Sequence, residues 1–214
     1  MRKILILDDH DIVRFALRTL IDSSATCHVV DTQASLAAGL VSIERFQPDL
    51  VVCDMSLGDS KGLETMRAVV KAQAPRPVLM LSMHDEMIYA EQALVIGAKG
   101  YLMKERAQEL LLQAIDKVLD GDIWVSPQVN AYLLNSLMKR TSKPSINPAS
   151  RLIGHLSQRE LEVLEKIGAG KTTKEIAFSL GLSPRTVDIH RANIKKKLVL
   201  RSGAEVLAFA LSRT

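Results

Sequence analysis

The sequence predicts an α/β doubly wound fold, a five-stranded parallel sheet covered by helices, followed by a small all-α helix-turn-helix domain. Three observations predict it. Five short apolar runs alternate with stretches of helical spacing across residues 1–120, and beyond residue 156 the pattern is helical only. The charge also changes sign along the chain. Residues 1–125 carry 13 Lys/Arg against 18 Asp/Glu, a balance of −5; residues 126–214 carry 15 against 6, a balance of +9. The two balances sum to the net +4 of the 214-residue chain, and only the basic half suits a polyanion.

The elements follow in order. The apolar runs are "KILIL" (3–7), "HVV" (28–30), "LVVC" (50–53), "VLMLS" (78–82) and "GYLM" (100–103), each short enough for a buried strand. Between them Val13, Ala16, Leu17, Leu20 and Ile21 show helical spacing, as do Leu110, Leu111, Ala114, Ile115 and Val118. Right-handed crossovers then bring every loop that follows a strand to one edge of the sheet. "DGD" at 120–122 ends the last of these helices, and residues 123–139 predict an appended helix starting near Ser126-Pro127. "RTSKPSINPAS" (140–150), with two prolines and three serines, reads as a flexible linker. The expected domains are therefore 1–121, a connecting region 122–152, and 153–214.

In the last region Ser157 with Glu160 and Thr172 with Glu175 form two capping boxes, each opening an amphipathic run. Gly181 suits the residue that closes the second run; Ser183 caps the next helix, with Pro184 as its first residue. Two helices so closely joined form a helix-turn-helix. A final helix at about 202–212 carries Val206, Leu207, Phe209 and Ala210 on an apolar face, which could pair two copies or complete one core.

Composition narrows the function classes. With 47% apolar and 24% charged residues the chain is ordinary globular protein. The N-terminal apolar run stops at Asp8, too short for a signal peptide, no run approaches a membrane span, and the expected compartment is the cytoplasm. Cys27 and Cys53 make no disulfide framework, and Cys53 reads as a small core residue.

Chemistry in a parallel sheet gathers beyond the carboxyl ends of its strands. Those ends hold Asp8 and Asp9, Asp54, Ser82 and Lys104. Three carboxylates repel one another, and a hard divalent cation such as Mg²⁺ resolves this while bridging to phosphate. Lys104 supplies a compact positive charge and Ser82 a hydroxyl for phosphoryl oxygens. A carboxylate nucleophile, a metal and fixed donors are what an aspartyl-phosphate centre needs. An isolated Asp-Asp pair is ordinarily a solvated turn; only the whole set points to this chemistry.

"LDDH" (7–10), "VVCDM" (51–55), "MLSMHDE" (80–86) and "GAKGYLMK" (97–104) closely resemble, in order and spacing, the receiver domain of two-component response regulators, a flavodoxin/CheY-like fold. The resemblance implies that Asp54 accepts a phosphoryl group from a sensor histidine kinase. It implies that Asp8, Asp9, Asp54 and the backbone carbonyl of Ser56 hold Mg²⁺, that Ser82 and Lys104 sense the phosphoryl oxygens, and that Tyr101 is a switch aromatic that turns inward. From the residues alone Tyr101 is a half-buried aromatic, and His10 and His84 are solvent-facing loop histidines. His84 stands where this family tunes dephosphorylation. Two positions depart from the family. Gly58 replaces a common proline, which puts loop rigidity in question, and Glu105 follows the lysine where proline in a cis bond is common. A non-proline cis bond costs about 2.5–4 kcal/mol, so trans geometry is expected there.

Residues 156–198 resemble the LuxR-type helix-turn-helix of the NarL/FixJ subfamily. Read independently, Val187, His190, Ile194 and Leu198 share a core-facing side, with a structural hydrogen bond expected for His190. Arg185, Asp188, Ile189 and Ala192 share the opposite side, free to enter a major groove. Thr172, Thr173 and Lys174 open the preceding helix where amides and a cation can meet phosphate. Lys195, Lys196, Lys197 and Arg201 add backbone attraction, and Ser183, Thr186 and Arg191 complete the candidate DNA-binding set. Asp188 departs from a common lysine, so base preference does not carry over.

The function expected is a phosphorylation-controlled, DNA-binding transcription regulator, not an enzyme beyond auto-phosphatase activity. Its partners are a sensor kinase, double-stranded DNA and a second copy of itself when phosphorylated or DNA-bound, with no membrane. The alternatives are a Mg²⁺-dependent aspartyl phosphatase, for which no loop in residues 1–120 is long enough to form a cap, and a DNA-binding regulator without a phosphate switch.

Overall fold

The computed structural model describes residues 1–138, 156–198 and 200–211 and divides into two compact units, Met1–Asn130 and Ala131–Thr214. The 140–150 linker expected from composition lies outside the described residues.

The first unit is built on five parallel strands: β1 (Arg2–Leu7), β2 (Cys27–Gln33), β3 (Leu50–Asp54), β6 (Val78–Ser82) and β7 (Gly100–Met103). Their order is β2-β1-β3-β6-β7. Every residue of β3 and β6 is buried, which explains why both read as unbroken apolar runs rather than alternating ones. Helices α1 (Asp11–Asp22) and α5 (Ala107–Leu119) cover one face, where Leu17, Ile21, Leu111 and Ile115 pack on Ile4, Ile6, Val52 and Leu81. Helices α2 (Leu36–Phe46), α3 (Leu63–Gln73) and α4 (Glu86–Ile96) pack along the opposite side of the topology, burying Ile43, Met66, Val69, Ile88 and Ala93. A two-residue pair, β4 (Ser56–Leu57) with β5 (Ser60–Lys61), forms an antiparallel hairpin that the sequence pattern does not announce.

Strand order reverses between β1 and β3, which makes their carboxyl ends the crevice of the sheet. The register Leu7↔Cys53 brings Asp8 and Asp54 to that crevice side by side, and Asp54↔Leu81 and Ser82↔Met103 continue the line towards Lys104. Beyond α5 the chain returns to the sheet edge, where Trp124 bridges to Gly100 and its carbonyl accepts from the Tyr101 amide at 2.9 Å. A Cβ on Gly100 would stand 3.1 Å from the Trp124 carbonyl oxygen and 2.6 Å from Leu79 Cδ1, so the approach requires glycine. Helix α6 spans Pro127–Met138, starting where Ser126-Pro127 placed it. Among the described residues no helix is long and apolar enough to cross a membrane.

In the second unit α7 (Gln158–Gly168), α8 (Thr173–Leu180), α9 (Pro184–Lys197) and α10 (Gly203–Leu211) surround a core of Leu161, Leu164, Ile167, Ile176, Val187, Ile194, Leu198 and Phe209. Both capping boxes form. Gly181 closes α8 at φ 64°, a left-handed conformation that favours glycine. Val206, Phe209 and Ala210 of α10 are buried and complete this core, leaving Leu207 and Leu211 exposed. Of the two roles open to that apolar face, its buried part serves the core of its own unit.

The end of α9 is fixed to α7 by an ion pair between Lys197 Nζ and Glu160 Oε2 at 2.7 Å, with Glu160 buried. Burial opposes ionisation of Glu160, but the Lys197 hydrogen bond and the Ser157 amide outweigh it and hold the carboxyl below its ordinary range. Its folded-state pKa is thus below the unfolded one, so its stabilisation is complete above the unfolded value and is lost as pH falls through the folded value. Lys197→Ala is expected to cost about 1–3 kcal/mol at neutral pH. The difference from wild type should shrink on acidification below the ordinary glutamate range; hydrogen exchange of α7 and α9 amides in the full chain measures both.

Candidate phosphoryl and nucleic-acid sites

At the crevice the Lys104 ammonium lies between two carboxylates, 2.7 Å from Asp54 Oδ2 and 2.6 Å from Asp8 Oδ2. All three side chains are at least nine-tenths buried. The strands dictate this convergence: Asp8 follows β1, Asp54 ends β3, and Lys104 follows β7. Asp54 Oδ1 also accepts from the Ser56 amide at 3.2 Å, and Asp8 Oδ1 from the His10 amide at 2.9 Å. Burial raises the Asp54 carboxyl above its usual range; Lys104 opposes that shift and Asp8 reinforces it. Burial alone would depress Lys104, but bonds and charge from Asp54 and Asp8 outweigh it and hold the ammonium above its ordinary value. The lysine therefore stays charged, and the electrostatic cost of the site falls on Asp54.

Asp9 is part-exposed beside this pair, and ligand atoms of Asp8, Asp9, His10 and Asp54 all lie within 4.8 Å of one another. One ammonium against three carboxylates leaves the pocket negative, and carboxylate oxygens suit a hard divalent ion. The donor chemistry of Asp8, Asp9 and Asp54 thus fits Mg²⁺. Ser82 is buried one residue beyond Leu81, the register partner of Asp54, and its hydroxyl accepts from the His84 amide at 2.9 Å.

Several sequence expectations need correction. Tyr101 is 1% exposed rather than half-buried, because β7 carries it inward; its hydroxyl donates to the His84 carbonyl at 2.9 Å and meets Met55 Sδ at 3.5 Å. It thereby touches the loops that follow both Ser82 and Asp54. His84 is partly buried, its ring 5.1 Å from that of Tyr89, because α4 folds back over it. His10 is exposed as expected, yet its Nδ1 lies 2.7 Å from Asp9 Oδ1. The Lys104–Glu105 bond is trans, as its chemistry requires; the cis bond among the described residues is Ala74–Pro75. Gly58 does not leave the neighbouring loop untied. It sits in the β4–β5 hairpin, and Asp59 accepts from the Leu36 and Ala37 amides at the start of α2, at 2.7 and 3.0 Å. Asp59 escaped sequence reasoning because its partners lie more than 20 residues away. Cys53 is fully buried, and burial pushes its thiol well above its ordinary range, consistent with a core role.

On the helical unit, Arg185, Asp188 and Ala192 are exposed and Ile189 is 54% exposed, along one side of α9. Ser183 caps α9, accepting from the Thr186 amide at 3.1 Å and pairing with the Thr186 hydroxyl at 2.8 Å. Thr172 caps α8 through Glu175, Lys174 is exposed, and Arg191 reaches Thr173 Oγ1 at 3.4 Å. Lys195 and Lys196 are exposed, whereas Lys197 is held by Glu160 and is withdrawn from the expected lysine triplet. His190 does face the core side, but its buried Nδ1 has no hydrogen-bond partner, contrary to the expected structural bond.

Comparison with known proteins now decides the family. Residues 4–116 match the response regulator receiver domain, and residues 154–210 match the bacterial regulatory proteins of the luxR family. The chain belongs to the two-component response regulators. Among curated relatives, this regulator is 34% identical over 215 residues to the oxygen regulatory protein NreC of Staphylococcus carnosus, covering 99% of the chain and 97% of that protein. It is 33% identical over 213 residues to NreC of Staphylococcus aureus strain MRSA252, with the same coverage. Among solved structures, a LuxR-family response regulator from Aurantimonas sp. aligns with TM-score 0.59 at 29% identity over 64% of this chain and 99% of that one. RcsB of Salmonella enterica serovar Typhimurium, bound to promoter P1flhDC with BeF3−, aligns with TM-score 0.60 at 20% identity over 99% and 98%, a likeness of fold. The regulator thus combines a receiver with a LuxR-type DNA-binding domain.

The raised carboxyl of Asp54 has a measurable consequence for this receiver. Its folded-state pKa lies above the unfolded one, so ionised Asp54 lowers stability above both values, and that cost vanishes at low pH. In metal-free buffer Asp54→Asn is expected to stabilise the receiver at neutral pH. Denaturant melts at a series of pH values should show the gain fading on acidification.

Proposed function

We propose that Asp54 is the phosphoacceptor of a phosphorelay, taking its phosphoryl group from a phosphohistidine of a sensor kinase. In this reading residues 1–121 form the phosphoacceptor half, 153–214 the DNA-binding half, and 122–152 their connection. The single observation that supports it most is the Lys104 ammonium held against Asp54 and Asp8. An Asp54 oxygen attacks phosphorus, the phosphorus–nitrogen bond breaks, and the imidazole leaves with the electron pair, so no net water or reductant is consumed. Lys104 and the Ser82 hydroxyl then bind phosphoryl oxygens, which moves Lys104 away from its contact with Asp8. Asp8, Asp9, Asp54 and the Ser56 carbonyl would hold Mg²⁺, which supplies charge neutralisation to the transferring group. Tyr101, already bonded to the His84 carbonyl, couples the Ser82 loop to β7.

Phosphorylation adds charge and acceptor oxygens at Asp54 and biases a two-state equilibrium that controls release of the DNA-binding domain, homodimerisation, or both. NreC relatives are named oxygen regulators and RcsB is bound to promoter DNA; the shared family supports a cytoplasmic role in transcription control here. DNA contacts are assigned to Thr172, Thr173, Lys174, Ser183, Arg185, Thr186, Asp188, Ile189, Arg191, Ala192, Lys195 and Lys196, with Arg185, Asp188, Ile189 and Ala192 on the side of α9 free to enter the groove.

Incubation with a small phosphodonor should label wild type in a Mg²⁺-dependent manner, with loss of label in Asp54→Asn; equal labelling of both proteins would remove the assignment. Turnover of free phosphomonoesters would instead indicate the aspartyl-phosphatase alternative. For DNA, the affinity should fall steeply with salt, and Lys195→Ala and Lys196→Ala should each reduce the logarithmic salt slope by about 1 without changing sequence preference. Arg185→Ala should relax that preference.

A further inference from the structure

His10 is the element of the acidic crevice that the phosphoryl reading leaves unused. It is the residue before α1, yet its side chain makes no capping bond to that helix. Its Nδ1 lies instead 2.7 Å from Asp9 Oδ1 and 3.3 Å from Asp8 Oδ1. Around a metal with bonds of about 2.0–2.1 Å, neighbouring donor atoms stand roughly 3 Å apart and opposite ones roughly 4.2 Å. The two distances from Nδ1 bracket the neighbouring value, and the ligand atoms of Asp8, Asp9, His10 and Asp54 form one group within 4.8 Å of one another. The imidazole is 68% exposed, so water reaches this side of the pocket.

We propose that His10 contributes a nitrogen ligand to the metal pocket, which gives the pocket a preference for first-row transition ions over Mg²⁺. This rests on the reading that Asp8, Asp9 and Asp54 hold a divalent ion, and it adds which ions compete there. Carboxylate and water ligands suit Mg²⁺, whereas imidazole suits Ni²⁺, Zn²⁺ and their neighbours, whose affinity for mixed nitrogen and oxygen sites rises through the series from Mn²⁺. A mixed donor set of two or three carboxylates and one imidazole therefore separates the two classes of ion. The competing explanation is that His10 merely hydrogen-bonds Asp9, in which case no metal–nitrogen bond forms.

The test uses the full chain loaded with Mn²⁺ and read by electron spin echo modulation, with Ni²⁺ and Mg²⁺ affinities measured by titration. Wild type should show coupling to a coordinated ¹⁴N nucleus, and His10→Asn should not. The ratio of Ni²⁺ to Mg²⁺ affinity should fall by about tenfold or more in His10→Asn. Asparagine is a favourable residue at this helix-capping position, so the variant is expected to fold. Mn²⁺ that binds wild type without nitrogen coupling, or a variant with unchanged coupling and affinity ratio, overturns the role of His10 alone, provided Asp9→Asn still weakens Mn²⁺. Wild type that binds neither Mn²⁺ nor Mg²⁺ overturns the metal pocket as well.

Discussion

The receiver is organised around one ammonium that serves two buried carboxylates. Lys104 touches Asp8 and Asp54 at ion-pair distance, from a side chain that is itself nine-tenths buried. An isolated carboxylate in such surroundings would cost several kcal/mol. The sheet is tolerable only because β1, β3 and β7 end at the same edge and deliver both charges to that amine. Register, strand order and the lengths of the buried runs all meet this requirement. So does the glycine at 100, which lets Trp124 close on the strand that carries the lysine.

The same arrangement leaves the crevice poised rather than relaxed. A single positive charge cannot satisfy Asp8, Asp9 and Asp54 together, and the raised carboxyl of Asp54 expresses the deficit. Additional positive charge, or a partner that draws Lys104 elsewhere, redistributes energy already stored in the pocket. Tyr101 stands where that redistribution would be felt, between Met55 behind Asp54 and His84 behind Ser82. The helical unit handles its buried charge differently. Glu160 has a capping role and a lysine of its own, so its carboxyl is stabilised and α9 is fixed before any polyanion arrives.

Much of this was legible in the sequence where burial and periodicity coincide. β6 and β7 begin and end at the residues their short runs mark, because every residue of β6 and all of β7 but Met103 is buried. Both capping boxes and the Ser183-Pro184 start of α9 were legible for the same local reason. β2 runs through the polar Asp31, Thr32 and Gln33, which are only partly buried, and the apolar run alone stops short of them. The β4–β5 hairpin has two residues per strand, too few for any period to register. Contacts that join distant residues were invisible: Lys197 with Glu160, Asp59 with the start of α2, and the depth of Tyr101.

The Asp59 bonds carry an implication for the segment behind Asp54. A proline ring stiffens a chain covalently and permanently. Here the two α2 amides and the hairpin do that work through reversible links, around a tip that Gly58 leaves intrinsically loose. Stiffness of this kind can be withdrawn: once the aspartate lets go, nothing in the covalent chain holds the tip in place. The restraint behind Asp54 is thus a latch rather than a weld, and its release would be felt at the first turn of α2.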